Sequence, residues 1–258
     1  MVSSRTLLVA LATAGTALAA ANPLKVRNEG TPVGQIKNVG GIDIYHSYPP
    51  GKKPATNAVI YLSDIFGVPL PQNKLLSDSI AANGYLVLMP DLFNGDPVSL
   101  EEQEAGLNLT EWRALHPPSE TERIINATIA YVRKELGVKR VGGVGYCFGG
   151  KWVPRFLTAT AGIDAGFIAH PSGLTEQEIG AIKWPISIAA GTLDASFNST
   201  HKARAEAILN TNNVTFQSNL YSSAPHGFAV RANISIPRQA YAKQGAFVQA
   251  VTWFDAWL

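Results

Sequence analysis

From residue 33 onward, short continuous apolar runs alternate with stretches whose apolar positions recur every three to four residues. The runs predict strands over 57–63, 85–89, 138–145, 165–169, 185–189 and 214–221, with two further short strands at 33–39 and 42–48 meeting at Gly40-Gly41. The periodic stretches predict helices over 72–83, 119–136, 148–161, about 200–210 and about 238–256. The helix at 119–136 is the clearest, with Glu120 and Glu122 in its first turn and Gly137 after its end. Residues 94–118 are polar and irregular, with room for short helices, and are expected to form a rim or cap. Strand–helix alternation of this kind predicts one α/β domain over 33–258, a doubly wound, mostly parallel sheet with helices on both faces.

The first 19 residues follow a different rule. A short polar start with Arg5 precedes an apolar run from Thr6 to Leu18, and Ala17-Leu18-Ala19 fits the small-residue cleavage pattern. The run is shorter than the roughly 20 residues of a membrane span. A signal peptide over 1–19, cut after Ala19 or alternatively Ala21, and a secreted product are therefore expected. No later stretch is long and apolar enough for a bilayer, so no membrane association is expected. Residues 20–32 lack periodicity and read as an N-terminal tail. Five Asn-x-Ser/Thr triplets, at Asn108, Asn126, Asn198, Asn213 and Asn233, are candidate glycosylation sites and agree with export.

Composition narrows the function classes. With 46% hydrophobic and 16% charged residues the chain can bury a large core. A net charge of +2 carries no nucleic-acid signature, and no nucleic-acid partner is expected. The single cysteine, Cys147, excludes an intramolecular disulfide and a multi-thiolate zinc site. The histidines are scattered and H-E-x-x-H is absent, so neither a metal nor a cofactor is expected. A thiol redox role would lack a resolving cysteine.

That cysteine lies in Gly145-Tyr146-Cys147-Phe148-Gly149, between a predicted strand and a predicted helix. This is the G-x-S-x-G nucleophile elbow with Cys for Ser. The glycines allow the tight turn, and the helix N-terminus favours the thiolate. The plainer alternative is an inert buried cysteine in a glycine-rich turn. A thiol nucleophile needs a base and an orienting acid, in the chain order nucleophile, acid, histidine. Asp194, after the predicted strand at 185–189, and His226, in Ser-Ser-Ala-Pro-His226-Gly, fit that order. His170 is the rival base; His46, His116 and His201 read as surface or core histidines. Asp164 is the rival acid, but it precedes a strand and so belongs at the wrong end of the sheet. The oxyanion would be held by the backbone N–H groups of Phe148 and Ile65, the latter in the loop Ser63-Asp64-Ile65-Phe66-Gly67. Asp64 reads either as a turn carboxylate or as a group beside the thiol.

Taken together, Asp64-Ile-Phe-Gly67, Gly84-Tyr-Leu-Val-Leu-Met-Pro-Asp-Leu92, Gly143-Val-Gly-Tyr-Cys-Phe-Gly-Gly150, Gly191-Thr-Leu-Asp194 and His226-Gly-Phe228 resemble the dienelactone hydrolase family of α/β-hydrolases. The resemblance covers about residues 55–258. It implies the α/β-hydrolase fold and a Cys147–His226–Asp194 triad acting on a small-molecule ester or lactone. It further implies a carboxylate that restrains the thiol until substrate binds. Asp64 takes that place, one methylene shorter than the glutamate of bacterial members. Arginines that hold a substrate carboxylate are implied as well: Arg231, five residues after His226, is the candidate, with Arg113 and Arg123 behind it. The expected product is a monomeric secreted hydrolase with a cysteine nucleophile. The alternative is a catalytically inactive secreted glycoprotein that keeps the fold as a binding module.

Overall fold

The computed structural model describes residues 24–51 and 55–258; the predicted signal peptide lies outside the described residues. Eight strands form one sheet: β1 Gln35–Val39, β2 Ile42–Ser47, β3 Asn57–Leu62, β4 Leu86–Pro90, β5 Arg140–Tyr146, β6 Ala165–Ala169, β7 Ile186–Leu193 and β8 Phe216–Pro225. Their spatial order is β1-β2-β4-β3-β5-β6-β7-β8. β1 and β2 pair antiparallel, as do β2 and β4, and every later pair is parallel. The helices are α1 Pro71–Ala81, α2 Leu100–Glu104, α3 Leu109–Leu115, α4 Pro118–Ala130, α5 Phe148–Phe156, α6 Glu176–Gly180, α7 Ser199–Thr211, α8 Phe228–Arg231 and α9 Pro237–Trp257.

Two adjacent glycines of β5 show how the layers are arranged. A side chain on Gly142 would meet Phe254 and Leu258 at the end of α9, and one on Gly143 would meet Val153 of α5 and Ile163. Neighbouring strand residues point to opposite faces, so helices cover both sides of the sheet. Residues 58–62 of β3, 87–89 of β4 and 165–169 of β6 are fully buried, as expected of strands covered twice.

Departures from the predicted elements have local causes. The helix predicted over 119–136 runs as α4 to Ala130 and continues as a π turn, Tyr131–Glu135. The helix predicted over 148–161 stops at Phe156, because the Lys183 and Trp184 N–H groups donate to the Leu157 carbonyl. α6 was not predicted; Thr175 and Glu178 form its capping box. In the polar stretch, Ser99 and Glu102 cap α2 in the same way, and Asn108 caps α3. The described part of the tail, from residue 24, has no strand or helix, yet it is docked: Val26 is buried and its N–H donates to Gln244 Oε1 at 3.1 Å.

Candidate active site

The strand order reverses direction between β3 and β5, which opens a crevice at their carboxyl ends. The loop after β3 carries Asp64 and Ile65, and the turn after β5 carries Cys147. Cys147 has φ 50° and ψ −109°, a backbone region that a non-glycine residue occupies only under strain. Its neighbours enforce the turn. A Cβ on Gly149 would overlap the Leu62 carbonyl, and one on Gly145 would lie 2.5 Å from the Gly149 carbonyl oxygen. Gly149 N–H also donates to Ser63 O at 2.9 Å, tying the elbow to the loop after β3. Cys147 is 7% exposed, so the thiol is recessed, as expected of a lone cysteine that escapes pairing between molecules.

The acid and base arrive from the far half of the sheet. β7 has a register irregularity between Gly191 and Leu193, just before Asp194, which is buried. β8 ends at Pro225, and His226 follows directly. Gly227, at φ 84°, then starts α8. His226 Nδ1–H donates to Asp194 at 3.0 Å and 3.1 Å to the two oxygens. Asp194 also accepts from Ser196 N–H at 2.8 Å. Burial pushes the His226 ring down, but its hydrogen bonds to Asp194 and Cys147, with their charges, outweigh burial and raise it to about 10. His226 thus keeps a proton through the neutral range.

One member of this line was not predicted. Ser172 Oγ lies 3.5 Å from Cys147 Sγ and 3.4 Å from His226 Nε2, so its hydroxyl bridges them. Its own N–H donates to the Cys147 carbonyl at 3.0 Å, which fixes it beside the elbow. In the sequence, His170-Pro171-Ser172 at the end of β6 offers a histidine and a serine together. That histidine is fully buried and makes an edge contact with the His226 ring at 5.2 Å between centroids. Burial first, then the nearby positive charges of His226 and Arg231, hold it well below its ordinary value, so it stays neutral. It supports the base and does not replace it.

The predicted oxyanion donors are free to act. Phe148 N–H opens α5 and so has no helical acceptor, and among the described residues no group accepts from Ile65 N–H. A cavity of about 430 Å³ adjoins the site; Arg113, His116, Phe148, Trp152, Ser172 and Ser196 are part of its wall. Arg113 and His116 come from α3 and its end, so the polar stretch does form the rim. His116 is held there, with Nδ1 bonding to the Trp112 carbonyl at 2.7 Å. A roomier groove of about 850 Å³ between β8 and α9 has neither Phe148 nor Ser172 in its wall; the smaller cavity has both, and Ser172 contacts Cys147 and His226.

Asp64 and Arg231 have other partners than those foreseen for them. Asp64 is fully buried, and its oxygens accept from Asn73 Nδ2 at 2.8 Å, Phe66 N–H at 3.3 Å and Arg231 Nε at 3.3 Å. Burial raises its carboxyl, against the opposing pull of Arg231 and these donors. None of these contacts reaches the thiol, whose near neighbour is Ser172 Oγ at 3.5 Å. Arg231 also stacks on Phe66, with its guanidinium carbon 4.5 Å from the ring centre. Arg123 is bound to Glu120 at the surface, at 2.7 Å, and does not reach the cavity wall.

The remaining rivals fall away. Asp164 accepts from Arg133 and from Val141 N–H at the opposite end of the sheet. His46 is buried with Nδ1 on the Ile44 carbonyl, and His201 is exposed beside Asn198. Of the sequon asparagines, Asn108, Asn126, Asn213 and Asn233 are exposed and Asn198 is half-buried as the cap of α7. Among the described residues, no group of three or more His, Cys, Asp or Glu side chains is placed to hold a metal.

Comparison with known proteins agrees with this architecture. The model of the dienelactone hydrolase family matches residues 42–258. The hydrolase pyvD of Aspergillus violaceofuscus is 43% identical over 231 residues, covering 90% of this chain and 93% of that protein. The hydrolase tropI of Talaromyces stipitatus is 38% identical over 240 residues, with coverage of 90% and 93%. Among solved structures, a dienelactone hydrolase-like promiscuous phosphotriesterase from metagenomic libraries shares the fold at TM-score 0.72 and 17% identity, covering 88% of this chain and 99% of that one. With its sheet order, elbow and strand-end residues in the same frame, the chain belongs to the dienelactone hydrolase family and is a hydrolase of that type.

Proposed function

We propose that the protein is an exported, glycosylated hydrolase of small esters or lactones, with Cys147 as nucleophile. The observation that carries this reading is the unbroken polar line Asp194–His226–Ser172–Cys147, ending on a strained elbow whose next residue, Phe148, opens a helix with a free N–H. The Cys147 thiolate attacks the carbonyl carbon, and the developing oxyanion is held by the Phe148 and Ile65 N–H groups. Collapse breaks the carbon–oxygen bond, and the leaving oxygen takes the proton from His226. In a lactone that oxygen stays tethered as a hydroxyl. Water then gives a proton to His226 and attacks the thioester, and sulfur leaves as thiolate. Asp194 holds the ring in the required orientation throughout, and Ser172 positions sulfur and imidazole relative to each other.

Cys147→Ala is expected to abolish turnover of aryl esters and simple lactones by the purified protein. Undiminished turnover would overturn the mechanism. Absence of turnover by the wild type across the panel, with retained ligand binding, would favour the binding-module alternative. Export rests on the N-terminal pattern and the five sequons. No described helix is long and apolar enough to cross a membrane. The secreted form should begin at Ala20 and lose mass on deglycosylation; retention of Met1 in the cell-associated fraction would refute export.

A further inference from the structure

Phe148, Lys151 and Trp152 follow the thiol at the three- and four-residue spacing that puts side chains on one helix face, and all three line the cavity of about 430 Å³. Arg113 and His116 line it from the end of α3, again three residues apart. The rings in this wall are held from behind. Phe93 packs on Phe148 and on His116, with ring centres 5.2 Å and 5.6 Å apart. Trp112 packs on His116 at 4.3 Å. The Arg155 guanidinium lies 4.5 Å from the Trp152 ring centre and is itself fixed by Glu178 and Glu122. Trp152 Nε1 is sealed from solvent, so the indole offers the cavity carbon and no donor. The fixed charges of the wall have one sign: Arg113 and Lys151 line it, and among the described residues no acidic side chain does. Arg113 is exposed and pairs with no described carboxylate. Lys151 stands 3.9 Å from a Glu178 oxygen that Arg155 already holds at 2.6 Å.

Fixed aromatic rings favour another ring, offset or edge to face. Cations favour the π face of an aromatic ring, and a saturated ring offers none. Plain hydrophobic burial would instead favour the saturated ring, which has more apolar surface. The two features of this wall therefore point the same way, and against burial alone. We propose that the cavity binds an aromatic ring, and that the substrates are esters or lactones carrying an aryl group there. The preference for a ring follows from the wall, whereas its place in a substrate rests on the proposed function. Ser172, which lines the cavity and touches the thiol, marks the end at which the ester carbonyl lies.

The test is calorimetric titration of the full chain with 2-phenylacetamide and 2-cyclohexylacetamide, neutral amides that differ only in the ring. The phenyl compound is expected to bind about fivefold tighter, the reverse of the order set by apolar area. Arg113→Met and Trp152→Leu should each bring the two affinities to within about twofold of one another. Should Trp152→Leu not fold, Arg113→Met, at an exposed helix position, carries the comparison. Steady-state kinetics then places the ring in a substrate. Benzyl acetate should exceed cyclohexylmethyl acetate in kcat/KM by about tenfold, or methyl phenylacetate should exceed methyl cyclohexylacetate by as much. Phenyl-selective binding without turnover of any ester would reject the hydrolytic reading and leave the ring site standing. Equal or reversed affinities in the wild type, or no binding of either amide at millimolar concentration, would overturn the proposal. So would a full preference retained in Arg113→Met, or ester turnover without preference in either pair.

Discussion

Two buried carboxylates stand beyond the carboxyl ends of parallel strands, Asp64 after β3 and Asp194 after β7, and both take a cationic partner from the stretch 226–231. Their surroundings separate their roles. Asp64 is closed in: Asn73 and Phe66 N–H occupy one oxygen, Arg231 occupies the other, and Phe66 covers the guanidinium. Tyr61 extends that network by donating to Asn73 at 2.9 Å. Asp194 also has fixed partners, but its histidine is open on the other side, where Nε2 meets Ser172 and the thiol. The same chemical pair, a buried carboxylate with a cation, serves as a clamp where both carboxylate oxygens are held by fixed donors. Under the proposed mechanism it serves as machinery, with one ring nitrogen facing the reacting atoms.

The largest expected difference is in turnover. Asp194→Asn should lower kcat by about a thousandfold, because the imidazole loses its orienting acceptor and the stabilisation of its proton. Asp64→Asn keeps the shape and should change kcat by less than about tenfold. Steady-state kinetics on both variants checks this, and equal losses would erase the distinction between clamp and machinery.

Stability should show the reverse order. Arg231→Met leaves Asp64 buried without its cation and is expected to cost about 3 kcal/mol in urea unfolding. Adding Asp64→Asn to Arg231→Met should recover much of that loss, since the two residues share one interaction. Additive costs would show that the pair is not a unit.

A smaller effect concerns Ser172. Its hydroxyl bridges sulfur and imidazole through ordinary hydrogen bonds, so Ser172→Ala should reduce kcat by about three- to tenfold with KM little changed. The alkaline limb of the kcat/KM profile should shift as well, because the environment of His226 changes. A profile identical to the wild type would reduce Ser172 to packing.

The smallest effect is in the pH dependence of stability. The folded value of His226, about 10, lies above its ordinary 6.5, so the folded state binds more protons than the unfolded one between those limits. The stabilisation is complete below about pH 6.5 and is lost as pH rises through about 10. Lys243 works the other way, gaining stability between about 8 and its ordinary 10.5. The wild type should therefore melt a few degrees above His226→Gln at pH 6, and the gap should close towards pH 10. A constant gap would contradict the assignment.

Much of the site was readable in the chain because each member sits where one kind of element ends. Cys147 lies between a strand and a helix, flanked by glycines at 145 and 149 that the tight turn requires. Asp194 and His226 follow strands in the order that a parallel sheet needs. Ser172 follows a strand too, but a serine after a proline has no pattern of its own. Its role comes only from an N–H bonded to the Cys147 carbonyl. The Asp64–Arg231 pair joins residues 167 apart, so neither position announces the other. The family resemblance implies a thiol-restraining carboxylate at Asp64, and in the structure that carboxylate is held by Asn73, Phe66 N–H and Arg231.

Local physics, then, settled what local physics can settle. The strands, most helices, the elbow and the acid–base order follow from hydrophobic period, turn chemistry and the steric needs of glycine. All of these act over a few residues and leave their mark in the order of the letters. Which side chains complete each other was decided by tertiary structure alone. The Ser172 bridge and the Asp64 clamp depend on distances between segments brought together by the sheet. Hydrogen bonds and ion pairs tolerate only tenths of an ångström, and no spacing along the chain encodes that.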